Sequence, residues 1–353
     1  MRSFDWRSGS TYFLPMADFE QGPIRPPSEA GSLLVRVSRN CPWNRCAFCP
    51  VYKGKKFSLR SVEDVLADLD QMRKLYKDSP RTVFLQDANP LLSKPDDLVR
   101  IVAGVRERFP RVERITTYAR SHTLARRTLK DLKRIRQAGL DRLHVGMESG
   151  CDAVLELVNK GTTRAEQIEG GRRAKQAGFE LSEYVMPGLG GKNLSKAHAD
   201  DSASALCEIE PDFVRLRTSA VIPGTPLAEL EERGEFVPLG EVELVREIRR
   251  FLLGLGGMHG RLESDHMLNL LMELKGNLPD DLDRLVGICD EFLRLPERVR
   301  RKFILARRLG WMVQLADVDQ AAFHPQVEEF MARLDAEGVD PEQFFSEMRK
   351  RMV

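Results

Sequence analysis

The chain has 353 residues, 42% apolar and 31% charged, and its 55 basic and 53 acidic side chains leave a formal charge of +2. That length accommodates one large core with an appendage, or two domains, and the near-neutral balance excludes a global field directed at nucleic acid or an acidic membrane. No run of 18 apolar residues occurs, and the opening MRSFDWRSGSTYFLPM has no secretory apolar core, so the expectation is a cytoplasmic protein in a reducing compartment with no membrane partner.

Residues 1–30 read as an irregular lead-in, because Gly22, Pro23, Pro26 and Pro27 forbid a continuous helix or central strand. From residue 31 short β-branched runs alternate with longer amphipathic ones. Strands are predicted at 33–38, 82–87, 113–118, 142–147, 180–186 and 212–219, and helices at about 61–77, 95–108, 124–138, 164–177 and 195–209. Ser61 and Ser195 are candidate helix N-caps, while Gly139 and Gly178 stand where C-terminal caps belong. Six β-α steps of about 30 residues imply a parallel sheet with helices outside, since parallel neighbours need crossover connections. Such a sheet closes naturally as a barrel or partial barrel, an α/β fold spanning residues 31–225. Beyond it, 226–353 reads as a helical C-terminal region, with segments at 241–255, 265–275, 281–294, 297–308, 322–335 and 341–351 and no strand between them. Pro341 suits the first position of the last helix.

Three of the six cysteines fall within nine residues, Cys41, Cys46 and Cys49, at the end of the first strand. No fourth Cys or His stands at ligand spacing, since Cys151, Cys207 and Cys289 are isolated downstream. Inert core thiols, an incomplete zinc knuckle and disulfide partners stand as alternatives to a three-thiolate metal site with one open position. Cys46-Ala47-Phe48-Cys49 resembles the second half of the C-x3-C-x-(aromatic)-C loop of the radical S-adenosylmethionine (SAM) superfamily. The first spacing, C-x4-C, departs from that loop by one residue. The resemblance, to the oxygen-independent coproporphyrinogen oxidase-like and methylthiotransferase-like cores, covers roughly residues 31–226. It implies a partial (βα)6 TIM-type barrel, a [4Fe-4S] cluster on Cys41, Cys46 and Cys49, and SAM on the open iron.

The strand ends supply further candidates for holding SAM. Asp87 and Asn89 follow strand 2, where family members often carry glycines, though an Asx-Pro turn is also ordinary punctuation. Arg120, after strand 3, can pair bidentately with a carboxylate, or can be a solvated side chain beside the next helix. Val145-Gly146-Met147-Glu148-Ser149-Gly150 resembles the G-x-E-S-G segment of the family, which implies that Glu148 and Ser149 lie near the ribose or amino group; an ordinary strand-helix turn is the alternative. Lys160-Gly161 fits either a family-like distance or a helix cap. Gly188 and Gly190, after strand 5, permit close backbone approach to a ligand. Arg215 and Arg217 share one face of strand 6; facing inward they imply an anionic ligand, facing outward nothing.

In the C-terminal region Asp265 and Asn269 are i,i+4 neighbours, and His266, Asn269 and Glu273 have spacings that share a helix face, which could close the barrel mouth or simply meet water. The resemblance implies an enzyme that needs an external one-electron reductant of flavodoxin or ferredoxin type. SAM is cleaved to a 5′-deoxyadenosyl radical that takes hydrogen from a substrate. Balanced charge favours a small-molecule substrate over nucleic acid. An RNA-modifying enzyme and a metal-bearing interaction protein without SAM turnover remain the competing readings. No catalytic residue is assigned from the sequence.

Overall fold

The computed structural model describes residues 19–319 and 324–352, so the first 18 residues of the predicted lead-in lie outside the described chain. β1 (Leu33–Arg36) leads into β2 (Ser38–Arg39) and β3 (Ser58–Leu59), a short antiparallel pair at the base of the cysteine loop. There follow α1 (Val62–Tyr76), β4 (Thr82–Gln86), α2 (Pro95–Arg108), β5 (Arg114–Ala119), α3 (Ser121–Arg126), α4 (Leu129–Gln137) and β6 (Arg142–Glu148). Next come α5 (Asp152–Leu157), α6 (Arg164–Gln176), β7 (Glu180–Val185), α7 (Gly191–Ile209) and β8 (Phe213–Leu216). The order β1-β4-β5-β6-β7-β8 is parallel throughout, as six βα steps require.

Local signals account for most boundaries. The Ser61 hydroxyl accepts from the Asp64 amide at 3.1 Å and caps α1. Thr163 and Glu166 form a capping box on α6. Gly139 and Gly178 follow α4 and α6 with φ of 112° and 87°, a region that L side chains rarely enter. Two expectations fail. The helix predicted over 124–138 is two helices, because Thr128 starts a second N-cap by accepting from the Asp131 amide. Ser195 caps nothing: α7 begins at Gly191, directly out of a turn in which Gly188 and Gly191 have φ of 86° and 57°.

The larger correction lies beyond residue 225. α8 (Pro226–Glu232) and α9 (Glu241–Leu253) are helical as the charged pattern suggests, but β9 (Gly260–Glu263) then adds to β8 in parallel. β10 (Gly276–Leu278) pairs antiparallel with β9, giving an eight-stranded sheet. Strands of three and four residues are too short to display a period. The helix predicted over 265–275 is a loop between these strands. Asn269 explains why: its side chain accepts from the Thr218 amide (2.8 Å) and donates to the Leu216 carbonyl (2.8 Å), spending its amide on the end of β8. α10 (Leu282–Arg294), α11 (Glu297–Arg308), α12 (His324–Ala336) and α13 (Pro341–Arg351) complete a largely helical C-terminal region, with Pro341 in the first turn of α13. No helix among the described residues is long and apolar enough to cross a membrane.

The two faces of the sheet differ in chemistry. Val35, Val83, Leu85, Ile115, Leu143, Val145, Leu181 and Val214 are buried against the outer helices in one apolar core. The opposite face carries Arg36, Phe84, Tyr118, His144, Tyr184 and Arg215, with aromatic contacts running from Phe84 through Tyr118 and His144 to Tyr184. Near the C-terminal strand ends this inner face stays partly accessible, at Arg36, Tyr118, Gly146, Glu148, Tyr184 and Arg217, whereas the outer face is closed. Leu227 of α8, which follows β8, donates to the Ala47 carbonyl in the loop after β1 at 3.0 Å. In a flat sheet the five strand spacings between β1 and β8 would separate them by about 24 Å. The sheet is therefore curled, and the accessible inner wall is the mouth of a partial barrel.

Candidate active site at the barrel mouth

The cysteine loop leaves β1 and turns back on itself at two left-handed asparagines, Asn40 (φ 64°) and Asn44 (φ 50°). Asn44 donates from its side chain to the carbonyls of Tyr52 (2.5 Å) and Lys55 (3.3 Å), and from its backbone to the Cys41 sulfur (3.5 Å). This turn lies within the C-x4-C spacing, between Cys41 and Cys46. Lys53 reaches back to the carbonyls of Asn44 and Cys46 at 3.2 and 3.0 Å. The loop is docked on both sides: the Trp43 indole donates to the Asn159 carbonyl, Ala47 donates to Val158, and Leu227 of α8 donates to Ala47.

All three thiols are free and half-buried. Burial first, and then the mutual charge of Cys41 and Cys49, pushes the Cys46 thiol up, with Lys160 and Arg120 pulling the other way. Lys160 and Arg120 place positive charge beside the thiols, which favours their binding as thiolates. Among the described residues no three His, Cys, Asp or Glu side chains close on a single point as ligands of one metal ion would. A four-iron cube makes a different demand, because each thiolate binds its own iron and the sulfurs stay apart. Three free thiols that do not close on one point are compatible with the three protein ligands of a [4Fe-4S] cluster.

Arg120, immediately before α3, donates to the carbonyls of Lys160 (3.0 Å) and Gly161 (3.2 Å) and lies over the Trp43 ring, its centre 5.4 Å from the centroid. Gly161 is required there: at φ 67°, a Cβ would fall 2.3 Å from the Trp43 ring. Glu148 also has positive φ (64°), at a bulge between β6 and β7, which swings its carboxylate inward over Gly146. There it meets the Lys160 ammonium at 3.0 Å. Burial pulls Lys160 down, but Glu148 and Cys46 outweigh it and hold the ammonium above its ordinary range. Lys160 thus belongs to the site as well as to the turn after α5.

Other sequence candidates occupy different surroundings. Asp87 is buried, taking the Arg36 guanidinium at 2.6 Å and the Asn40 amide at 3.1 Å, so it braces the start of the cysteine loop. Asn89 is buried and donates to the Thr123 hydroxyl (2.8 Å). Ser149 faces the helices, bonded to the Cys151 amide (3.1 Å) and to His198 Nδ1 (2.8 Å). Gly188 donates to Glu247 (2.6 Å), with Leu244 and Ser219 where a side chain would be, and Gly190 abuts Leu194. Arg215 faces inward but is paired with Asp265 and with Ser182. Arg217 faces inward without an ion pair among the described residues.

Three participants escaped the sequence reading. Trp43 carries Arg120 on its face, and nothing in its position announced that. Tyr52 is buried near the cysteines, and burial, then Asp87 and the cysteine charges, pushes its phenol up. Glu183, buried on the helix-facing side, is driven well above its usual range by burial and then by Glu148. Its signal was available: in ELSEYV it stands at the apolar parity of Leu181 and Val185.

Residues 35–202 match the family model described as the Radical SAM superfamily. The tRNA uridine(34) acetyltransferase of Methanocaldococcus infernus is 28% identical over 122 residues, which are 34% of this chain and 22% of that protein. The tRNA-2-methylthio-N(6)-dimethylallyladenosine synthase of Hahella chejuensis is 28% identical across 62% of this chain and 51% of its own length. The match thus spans about a fifth of the first relative and about half of the second. Among solved structures, coproporphyrinogen III oxidase from Escherichia coli is similar at 18% identity and a TM-score of 0.49, over 64% of this chain and 52% of that one. Through residues 35–202 the chain belongs to the radical SAM superfamily, whose enzymes use a [4Fe-4S] cluster and S-adenosylmethionine.

Proposed function

We propose that this enzyme cleaves SAM reductively and passes the radical to a small metabolite held inside the barrel. The observation that carries this reading is the position of Cys41, Cys46 and Cys49 at the C-terminal end of β1, beside Arg120 and the Glu148–Lys160 pair. When bound, the cluster and SAM supply one-electron cleavage of the sulfonium and a 5′-deoxyadenosyl radical that abstracts hydrogen. The chain's residues bind and orient. Arg120, with no carboxylate partner among the described residues and the charges of Cys41 and Cys46 beside it, receives the methionine carboxylate. Glu148, aimed inward by its bulge and steadied by Lys160, accepts from ribose hydroxyls or the amino group. The docked cysteine loop covers one side of the reacting centre. Electrons come from a low-potential carrier of flavodoxin or ferredoxin type, and a reducing cytoplasm suits the cluster.

Anaerobic reconstitution tests this. Wild-type protein should take up about four irons, show the visible absorption of a [4Fe-4S] cluster and release deoxyadenosine from SAM under dithionite. Alanine at Cys41, Cys46 or Cys49 should abolish both signals. A triple-alanine variant that still held the cluster would sink the assignment, and a cluster-loaded wild type that released no deoxyadenosine would favour an interaction protein.

A second reading has one observation behind it: at least four of the similar proteins are named for tRNA modification. Balanced charge weighs against it. Micromolar, steeply salt-dependent tRNA binding would reverse that preference.

A further inference from the structure

The inner wall holds more positive charge than SAM can neutralise. Five of its cations have carboxylate partners: Arg36 with Asp87, Arg114 with Glu29, Arg142 with Glu180, Lys160 with Glu148, and Arg215 with Asp265. Two have none among the described residues, Arg120 and Arg217. SAM brings a single carboxylate, and its other charged groups are cationic. Arg120 stands beside Cys41 and Cys46, where that carboxylate would sit. Arg217 lies across the mouth, one residue past β8, near Tyr118 and the His266 ring. Its Nε is buried without a hydrogen-bond partner, a costly state for a guanidinium unless a ligand supplies the acceptor.

His266 adds a second donor. Its Nδ1 accepts from the Leu268 amide at 3.2 Å, which puts the proton on Nε2. Burial, and then Arg217, keeps the ring uncharged, so it offers an N–H within electrostatic reach of the guanidinium and does not compete with it for an anion. The 264–275 loop that carries His266 is held to β8 by Asn269, so the two donors are positioned by one hydrogen-bonded unit.

Resting on the radical SAM reading above, we propose that Arg217 and His266 form an oxyanion subsite for the substrate, which is therefore a metabolite bearing a carboxylate or a phosphate. Arg217 is accordingly a substrate-binding residue and not a ligand of SAM.

The test is equilibrium dialysis of the cluster-loaded full chain, saturated with SAM, against labelled inorganic phosphate and, separately, labelled malonate. At least one probe should bind saturably with SAM present, and the tighter of the two identifies the group. Arg217→Met should weaken that binding about tenfold or more, and Arg217→Lys, which keeps the charge without the fork, should fall between them. Failure of both probes to bind, equal binding by wild type and both variants, or displacement of the anion by SAM would overturn the proposal; the last would return Arg217 to SAM. Deoxyadenosine release by the same wild-type preparation separates the two levels. Release without anion binding refutes the subsite alone, whereas no release refutes the reading beneath it.

Discussion

Asn44 shows how one residue can set the shape of the cysteine loop. At φ 50° it turns the chain between Cys41 and Cys46, and its side chain donates to the carbonyls of Tyr52 and Lys55. Alanine there loses both bonds and meets the left-handed penalty, so Asn44→Ala should cost about 1–3 kcal/mol in denaturant titrations and lower iron uptake. Asn44→Gly, which removes the penalty alone, should be milder. Equal losses would mean that the hydrogen bonds, not the backbone conformation, hold the turn. Glu148 makes a related point from the other side of the mouth: a positive φ and a bulge, neither visible in the string GMESG, decide that its carboxylate faces inward to Lys160. Lys160→Met should leave that carboxylate without its cation and weaken SAM binding by about tenfold, read by dialysis against labelled SAM.

At the scale of elements, α7 and α9 brace the turns that follow β6 and β7. His198 of α7 joins Ser149 to the Met186 carbonyl, and Glu247 of α9 accepts from the Gly188 amide. Burial raises Glu247 from 4.5 to about 7, against the hydrogen bonds of Ser195 and Gly188. Between those values the folded protein keeps a proton that the unfolded chain releases, so this residue makes unfolding easier as pH rises through that window. His198, lowered by burial from 6.5 to about 4, has the opposite effect, because the unfolded chain binds the proton there. In wild type the two nearly cancel. Glu247→Gln leaves His198 alone, so the variant should gain stability relative to wild type as pH rises from 4.5 to 7, by roughly 3 kcal/mol. Urea midpoints across that range measure it, and parallel curves for the two proteins would refute it.

For the molecule as a whole, a buried charge cluster ties the C-terminal helices together at the edge of the barrel. Glu241 at the start of α9 takes a bidentate contact from Arg308 of α11 (2.8 and 2.7 Å) and an ion pair from Arg349 of α13 (3.1 Å). Burial alone would raise its carboxyl, but Arg308 and then Arg349 hold it below the usual range. Glu241→Gln strands two buried cations and should destabilise the chain by about 3–5 kcal/mol in chemical denaturation. A change below about 1 kcal/mol would show that water reaches the cluster.

The sequence by itself determined the parallel βα core, the strand and helix positions to within a few residues, and the cysteine loop at the end of β1. These are carried by local periodicity, caps and spacing, which need no knowledge of distant neighbours. Only the tertiary structure decided that β9 and β10 extend the sheet, that 264–275 is a loop, and which polar residues share the mouth. Strand pairing and loop conformation are settled by partners far along the chain, as when Asn269 caps the end of β8. Facing is settled by curvature and bulges: Ser149 turns to the helices, Glu148 one residue earlier turns to the mouth, and Arg217 is left on the inner wall with no carboxylate among the described residues.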